Sequence, residues 1–78
     1  MVTPESIKHN IENGMSTAHL SVSGDGRHFE AIVVSEEFAG KSRIQRHQLV
    51  YQTLGDRLRQ DVHALSIKTF TPQEWQEK

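Results

Sequence analysis

The chain of 78 residues brings five histidines and no cysteine to any metal or proton chemistry. Imidazole is therefore its strong nitrogen ligand, and with no thiolate the fold cannot rest on a disulfide or a zinc–thiolate site. No two histidines show the i, i+4 spacing of a helical zinc site. His28 follows a glycine turn, and His63 opens a strand. Both stand at element ends, where a side chain is held yet reachable, although spacing alone assigns a metal to neither. His9 and His19 read as surface residues. His47 lies in an apolar helical arc and reads as a core-edge residue that hydrogen-bonds inward. None of the serines sits in a nucleophile elbow, and there is no Gly-x-x-x-x-Gly-Lys phosphate loop. The carboxylate pair Glu36-Glu37 reads as helix-start capping. Nothing here predicts an enzyme.

A second constellation is basic. Lys41, Arg43 and Arg46 follow Gly40 at a helix start, with His47 at their edge, and free N–H groups at such a start favour an anion. The group is a candidate partner- or nucleic-acid-binding site, and the same residues serve equally as a solvated edge. A net charge of −1 with neutral histidines weighs against a dedicated nucleic-acid binder. Ala39-Gly40-Lys41-Ser42 also lacks the Gly-x-x-Gly loop of KH-type nucleic-acid modules.

The elements that must position these residues are legible from local signals. Thr3-Pro4-Glu5 starts a helix over about residues 4 to 12, with Val2 and Ile7 placed for a hydrophobic staple and Asn13-Gly14 as its stop. Residues 18 to 23 alternate as a half-buried strand. Gly24-Asp25-Gly26 turns the chain, and a second strand runs from His28 to Val34 with Phe29, Ala31 and Val33 on one face. Ser35-Glu36-Glu37 caps one helical turn ending at Gly40. Ser42 and Gln45 then form a capping box for a longer helix whose arc holds Ile44, His47, Val50, Tyr51, Leu54 and Leu58. Gly55 weakens its last turn. A third strand spans about Val62 to Thr69, with Leu65 and Ile67 inward. Thr71-Pro72-Gln73-Glu74 caps a short final helix, and Phe70 and Trp75 can staple it.

This order, α-β-β-α-α-β-α, predicts one small α+β domain over residues 1 to 78. A hairpin, a helical crossover and one further strand make a three-stranded mixed sheet, with the helices on one face. Composition is 35% hydrophobic and 24% charged, ordinary for a globular chain and too apolar for disorder. The start lacks an apolar signal segment, and the longest apolar run, Ala31 to Val34, is too short to span a bilayer. A soluble, cytoplasmic protein is expected.

Five motifs together resemble the BolA family. They are Ser23-Gly-Asp-Gly-Arg-His-Phe29, Val34-Ser-Glu-Glu-Phe-Ala-Gly40, Arg46-His-Gln-Leu-Val-Tyr51, Val62-His-Ala-Leu-Ser-Ile67 and Thr71-Pro-Gln-Glu-Trp75. They cover nearly the whole chain in the family's order. The Gly-Asp-Gly turn is similar to the IbaG-like branch, and Arg46-His47 to the BolA branch. The resemblance implies a class II KH-like fold and a partnership with monothiol glutaredoxins. In such pairs a [2Fe–2S] cluster is shared: the glutaredoxin gives a cysteine, glutathione a second thiolate, and the BolA protein histidine. The family's histidine before the third strand matches His63, and His28 matches a further ligand that some members place in the loop between the first two strands. Imidazole in place of thiolate raises a cluster's potential. Ligation needs neutral imidazole, so cluster binding should be lost near pH 6. The isolated chain, a monomer, should hold little or no iron. The resemblance also implies a second role, transcriptional regulation in stress and morphology through DNA contact at the basic helix.

Overall fold

A computed structural model describes residues 2–25, 27–61 and 64–77, with the side chains of residues 56–61 left aside. In chain order the elements are α1 (Pro4–Gly14), β1 (His19–Gly24), β2 (His28–Val34), a 3-10 turn (Glu36–Phe38), α2 (Arg43–Asp61), β3 (Ala64–Phe70) and α3 (Pro72–Gln76). The α+β order is the predicted one, with the 3-10 turn as its single helical turn. Among the described residues, no helix is long and apolar enough to cross a membrane.

The sheet runs β1-β2-β3. The hairpin pairs antiparallel, Leu20 opposite Val33 and Val22 opposite Ala31. The helical crossover returns the chain so that β3 lies parallel to β2, with Ala31 opposite Ile67 and Val34 opposite Phe70. Phe29, Ala31, Val33 and Ile67 are buried on one face, against Ile7 and Ile11 of α1 and Val50 and Leu54 of α2. Phe38, fully buried, ties the 3-10 turn into the same core. A side chain of that size contributes about 2–3 kcal/mol by burial, enough to anchor a three-residue turn.

Caps set the helix starts. Thr3 Oγ1 accepts from Ser6 N at 3.1 Å, and Ser6 Oγ accepts from Thr3 N at 3.1 Å. Ser42 and Gln45 exchange the same pair of bonds at 2.9 and 3.2 Å. Ser35 goes beyond capping. Its Oγ accepts from Glu37 N at 3.1 Å and donates to Ser16 O at 2.6 Å, while Glu37 Oε2 accepts from Ser16 N at 2.6 Å. The predicted capping pair thus also pins the link between α1 and β1.

Three details refine the sequence reading. The apolar arc of α2 is centred on Val50 and Leu54, both buried, whereas Ile44 is 70% exposed. Six residues from Val50, Ile44 falls about 120° around the helix, off the buried side. α2 also breaks its regular path at Gly55, with φ 74° and ψ 164°, a conformation essentially reserved for glycine. β3 is described over Ala64–Phe70, one residue past its predicted end. Val62 and His63 lie outside the described residues, as does Gly26 of the first turn.

α3 reaches beyond the layer formed by α1 and α2. Register places His19, Val34 and Phe70 in one row across the sheet. The Trp75 ring stacks on His19 with centroids 5.0 Å apart and tilts against Phe70 at 5.4 Å. It therefore bridges the two ends of that row, which accounts for the burial of Val34 although its side chain alternates away from the main core.

Candidate functional site

The parallel pairing of β2 and β3 brings the N-terminal ends of both strands together, with His28 directly opposite Ala64. Ala64 is the residue bonded to His63. His63 itself, the first predicted ligand, lies outside the described residues. His28 is exposed and lines a groove of about 800 Å³, together with Ser23, Asp25, Glu30, Ser66 and Tyr51 of α2.

The turn holds the backbone of His28, whose side chain is exposed. Asp25 Oδ1 accepts from Arg27 N at 3.0 Å and His28 N at 2.9 Å, and Asp25 N donates to His28 O at 3.2 Å. The His28 amide, and after it the Arg27 amide, hold the Asp25 carboxyl below the ordinary carboxylate range. Gly24 is needed for closeness here. A Cβ at that position would lie 2.5 Å from Phe29 Cδ1 and 2.6 Å from His28 O. Sequence reasoning missed Asp25 and Tyr51 as parts of this site. An aspartate two residues before a free N–H is the available signal for the first, as an Asx turn. Tyr51 arrives through tertiary packing of α2.

What the groove could hold follows from its donors. No cluster of three or more His, Cys, Asp or Glu forms among the described residues. Among the described residues the groove offers one exposed imidazole at a strand end, a partial ligand set for a metal group.

The basic constellation divides in two. Arg46 is occupied: Nη1 and Nη2 donate to the two carboxylate oxygens of Glu74 at 2.8 and 3.3 Å, and Nε donates to Lys41 O at 3.0 Å. Its guanidinium also stands 5.9 Å from the centroid of the Phe38 ring. These contacts pull the Glu74 carboxyl down to about 2, with the Arg46 hydrogen bond first and the Thr71 amide second. Lys41 and Arg43 are exposed, and neither makes an ion pair among the described residues. The capping box already satisfies the Ser42 and Gln45 amides, which leaves less of the helix start for an anion. His47 is half-buried beside them. Burial first, and the charge of Arg43 second, lower its pKa. A groove of about 390 Å³ separates this helix start from β3.

The other two histidines have local roles. His9 Nε2 lies 2.9 Å from Asn13 Nδ2. His19, read from the sequence as an ordinary surface residue, carries the Trp75 ring.

Comparisons with known proteins extend this geometry. A family model described as BolA-like protein matches residues 1–74. The chain is 47% identical over 74 residues to the DNA-binding transcriptional regulator BolA of Vibrio cholerae, covering 95% of this chain and 67% of that protein. It is 44% identical over 66 residues to the acid stress protein IbaG of Escherichia coli, covering 83% of this chain and 79% of that protein. A solved structure of a BolA homologue from Coxiella burnetii superposes with a TM-score of 0.84 at 48% identity, covering 97% and 99% of the two chains.

Proposed function

This chain belongs to the BolA-like protein family, and from that premise we propose that it is a non-catalytic adaptor in iron–sulfur cluster handling. In this reading it shares a [2Fe–2S] cluster with a monothiol glutaredoxin, whose side supplies cysteine and glutathione thiolates. His63 is the principal imidazole ligand and His28 the second. The observation that carries the reading is the parallel register that sets His28 opposite Ala64, the neighbour of His63, beside an open groove. The absence of cysteine fits a chain that contributes imidazole and leaves thiolate to its partner. When bound, the cluster would supply one-electron redox chemistry or be passed on. The chain's own residues would hold the backbone of His28 through the Asp25 turn and line the groove with Tyr51.

The test is reconstitution with a monothiol glutaredoxin, glutathione, iron and sulfide, followed by visible absorption and circular dichroism. His63→Ala should abolish the mixed-complex spectrum, and His28→Ala should alter it. A His63→Ala spectrum identical to the parent's would sink the assignment.

A second reading, transcriptional regulation by DNA contact, draws on the exposure of Lys41 and Arg43 and on the relatives named DNA-binding regulators. Phosphate neutralisation releases counterions, so affinity should fall steeply with salt. Binding that survives replacement of Lys41 and Arg43 by alanine would remove this reading.

A further inference from the structure

β3 ends the sheet on its side, and no strand pairs with its outer edge among the described residues. The ladder fixes which backbone groups face outward. Ser35 N, just past β2, donates to Phe70 O at 2.9 Å, so the Phe70 carbonyl points toward β2. Along a strand these directions alternate. Ser66 and Lys68 therefore also face β2, and Ile67 and Thr69 turn their N–H and C=O groups outward. Beyond the sheet itself, no described backbone or side-chain group bonds the main chain of Ile67 or Thr69.

The groove beside this edge is lined by four consecutive residues of β3, 67 to 70, and by the start of α2. Residues of both alternations line it, and β3 is paired on one side only among the described residues, so the groove lies beside the open side of that strand. The charge along it is one-sided. Arg46 is neutralised by Glu74, while Lys41 and Arg43 are exposed and make no ion pair among the described residues. Lys68 meets Glu30 only at 3.8 Å, with both side chains more than half exposed, a pair of little worth.

We propose that the β3 edge accepts an extended acidic peptide segment as a fourth strand. The segment's main chain would bond the outward groups of Ile67 and Thr69, and its carboxylates would face Lys41, Arg43 and Lys68. Strand addition supplies affinity through the backbone and selectivity through flanking side chains, and both parts are present here. The same lysine that admits an acidic strand repels a second copy of this edge, so self-pairing is disfavoured. A nucleic acid would meet the cations, but its backbone lacks the alternating donors and acceptors that Ile67 and Thr69 call for. The edge groove and the His28 groove share no lining residue, so the proposal stands apart from the cluster reading.

The test uses the full chain, 15N-labelled, titrated at low salt with an eight-residue peptide alternating glutamate and valine. The amides of Ile67 and Thr69 should shift and become protected from exchange. A second peptide, N-methylated at the amides that would pair with β3, keeps the charge and should bind about tenfold more weakly or worse. Lys41→Glu with Arg43→Glu should weaken the parent peptide similarly, while the N-methyl comparison needs no change to the protein and so cannot be confused with misfolding. Equal binding of the two peptides would overturn strand addition. So would shifts that bypass Ile67 and Thr69, shifts produced by a single-stranded oligonucleotide and not by the peptide, or protection that grows with protein concentration alone.

Discussion

The two ends of the β2–β3 pair are built on opposite plans. At the C-terminal end side chains are consumed by one another: Arg46 grips Glu74, and Trp75 lies against His19 and Phe70. At the N-terminal end the bonds go to main chain. Asp25 fixes the amides of Arg27 and His28 and leaves the imidazole exposed over a groove. Contacts that use up side chains make scaffold, and contacts that hold a backbone while freeing its side chain make a site. Changes at the first end should cost stability without touching partner chemistry, and changes at the second should do the reverse.

The largest effect should come from Trp75→Ala. It uncovers the His19–Val34–Phe70 row and removes a half-buried aromatic, for a loss of about 2–3 kcal/mol. For a domain of this size that lowers the melting temperature by roughly 10 °C or more, readable by thermal circular dichroism. Arg46→Ala should follow at about 1–2 kcal/mol. It removes the bond to the Lys41 carbonyl and the packing on Phe38 as well as the Glu74 pair, whose exposed partner discounts the electrostatic share. Both variants should still give the parent spectrum in the glutaredoxin reconstitution. A lost spectrum with intact folding would place function at the clamped end and break the contrast.

This division was only half legible in the sequence. Caps, staples and alternation are local, so Thr3, Ser42, Thr71 and the Phe29-Ala31-Val33 face could be read directly, and the element order with them. The arc of α2 misled at Ile44, because helical spacing defines an arc without saying where its centre faces, and the sheet chose Val50. Arg46 was grouped with Lys41 and Arg43 on charge alone. Its partner stands 28 residues away, and Glu74 was already explained as a cap, a role it keeps while also holding the guanidinium. His19 and Trp75 meet for the same non-local reason. His28 stood out by its position after a glycine turn, but the bond that holds it comes from Asp25, whose side chain is ambiguous until the turn has a shape.

Acid should weaken the clamped end through Glu74. The Glu74 carboxyl falls from 4.5 to about 2 in the folded chain, so the unfolded chain binds its proton first. Its stabilising share is fully present above about pH 4.5 and is lost as pH falls toward 2. Melting temperature in the parent should therefore drop more steeply between pH 4.5 and 2 than in Arg46→Ala, where the largest cause of the shift is gone and the Thr71 amide remains. Parallel slopes would mean that the pair contributes nothing in solution.

The smallest effect on stability, and the sharpest on function, belongs to Asp25→Ala. Asp25 is exposed, and it touches the fold through the two amides and the His28 carbonyl. Melting should hardly move. The amides of Arg27 and His28 should lose their protection from exchange, because their acceptor is gone. If the turn orients the imidazole, the reconstituted spectrum should move toward that of His28→Ala, although the ring itself is unchanged. Asp25→Asn keeps an acceptor oxygen in place and should restore much of the parent behaviour. A parent-like spectrum for Asp25→Ala beside an altered one for His28→Ala would show that the ring finds its position without the turn. The free end would then owe its geometry to the strand register alone.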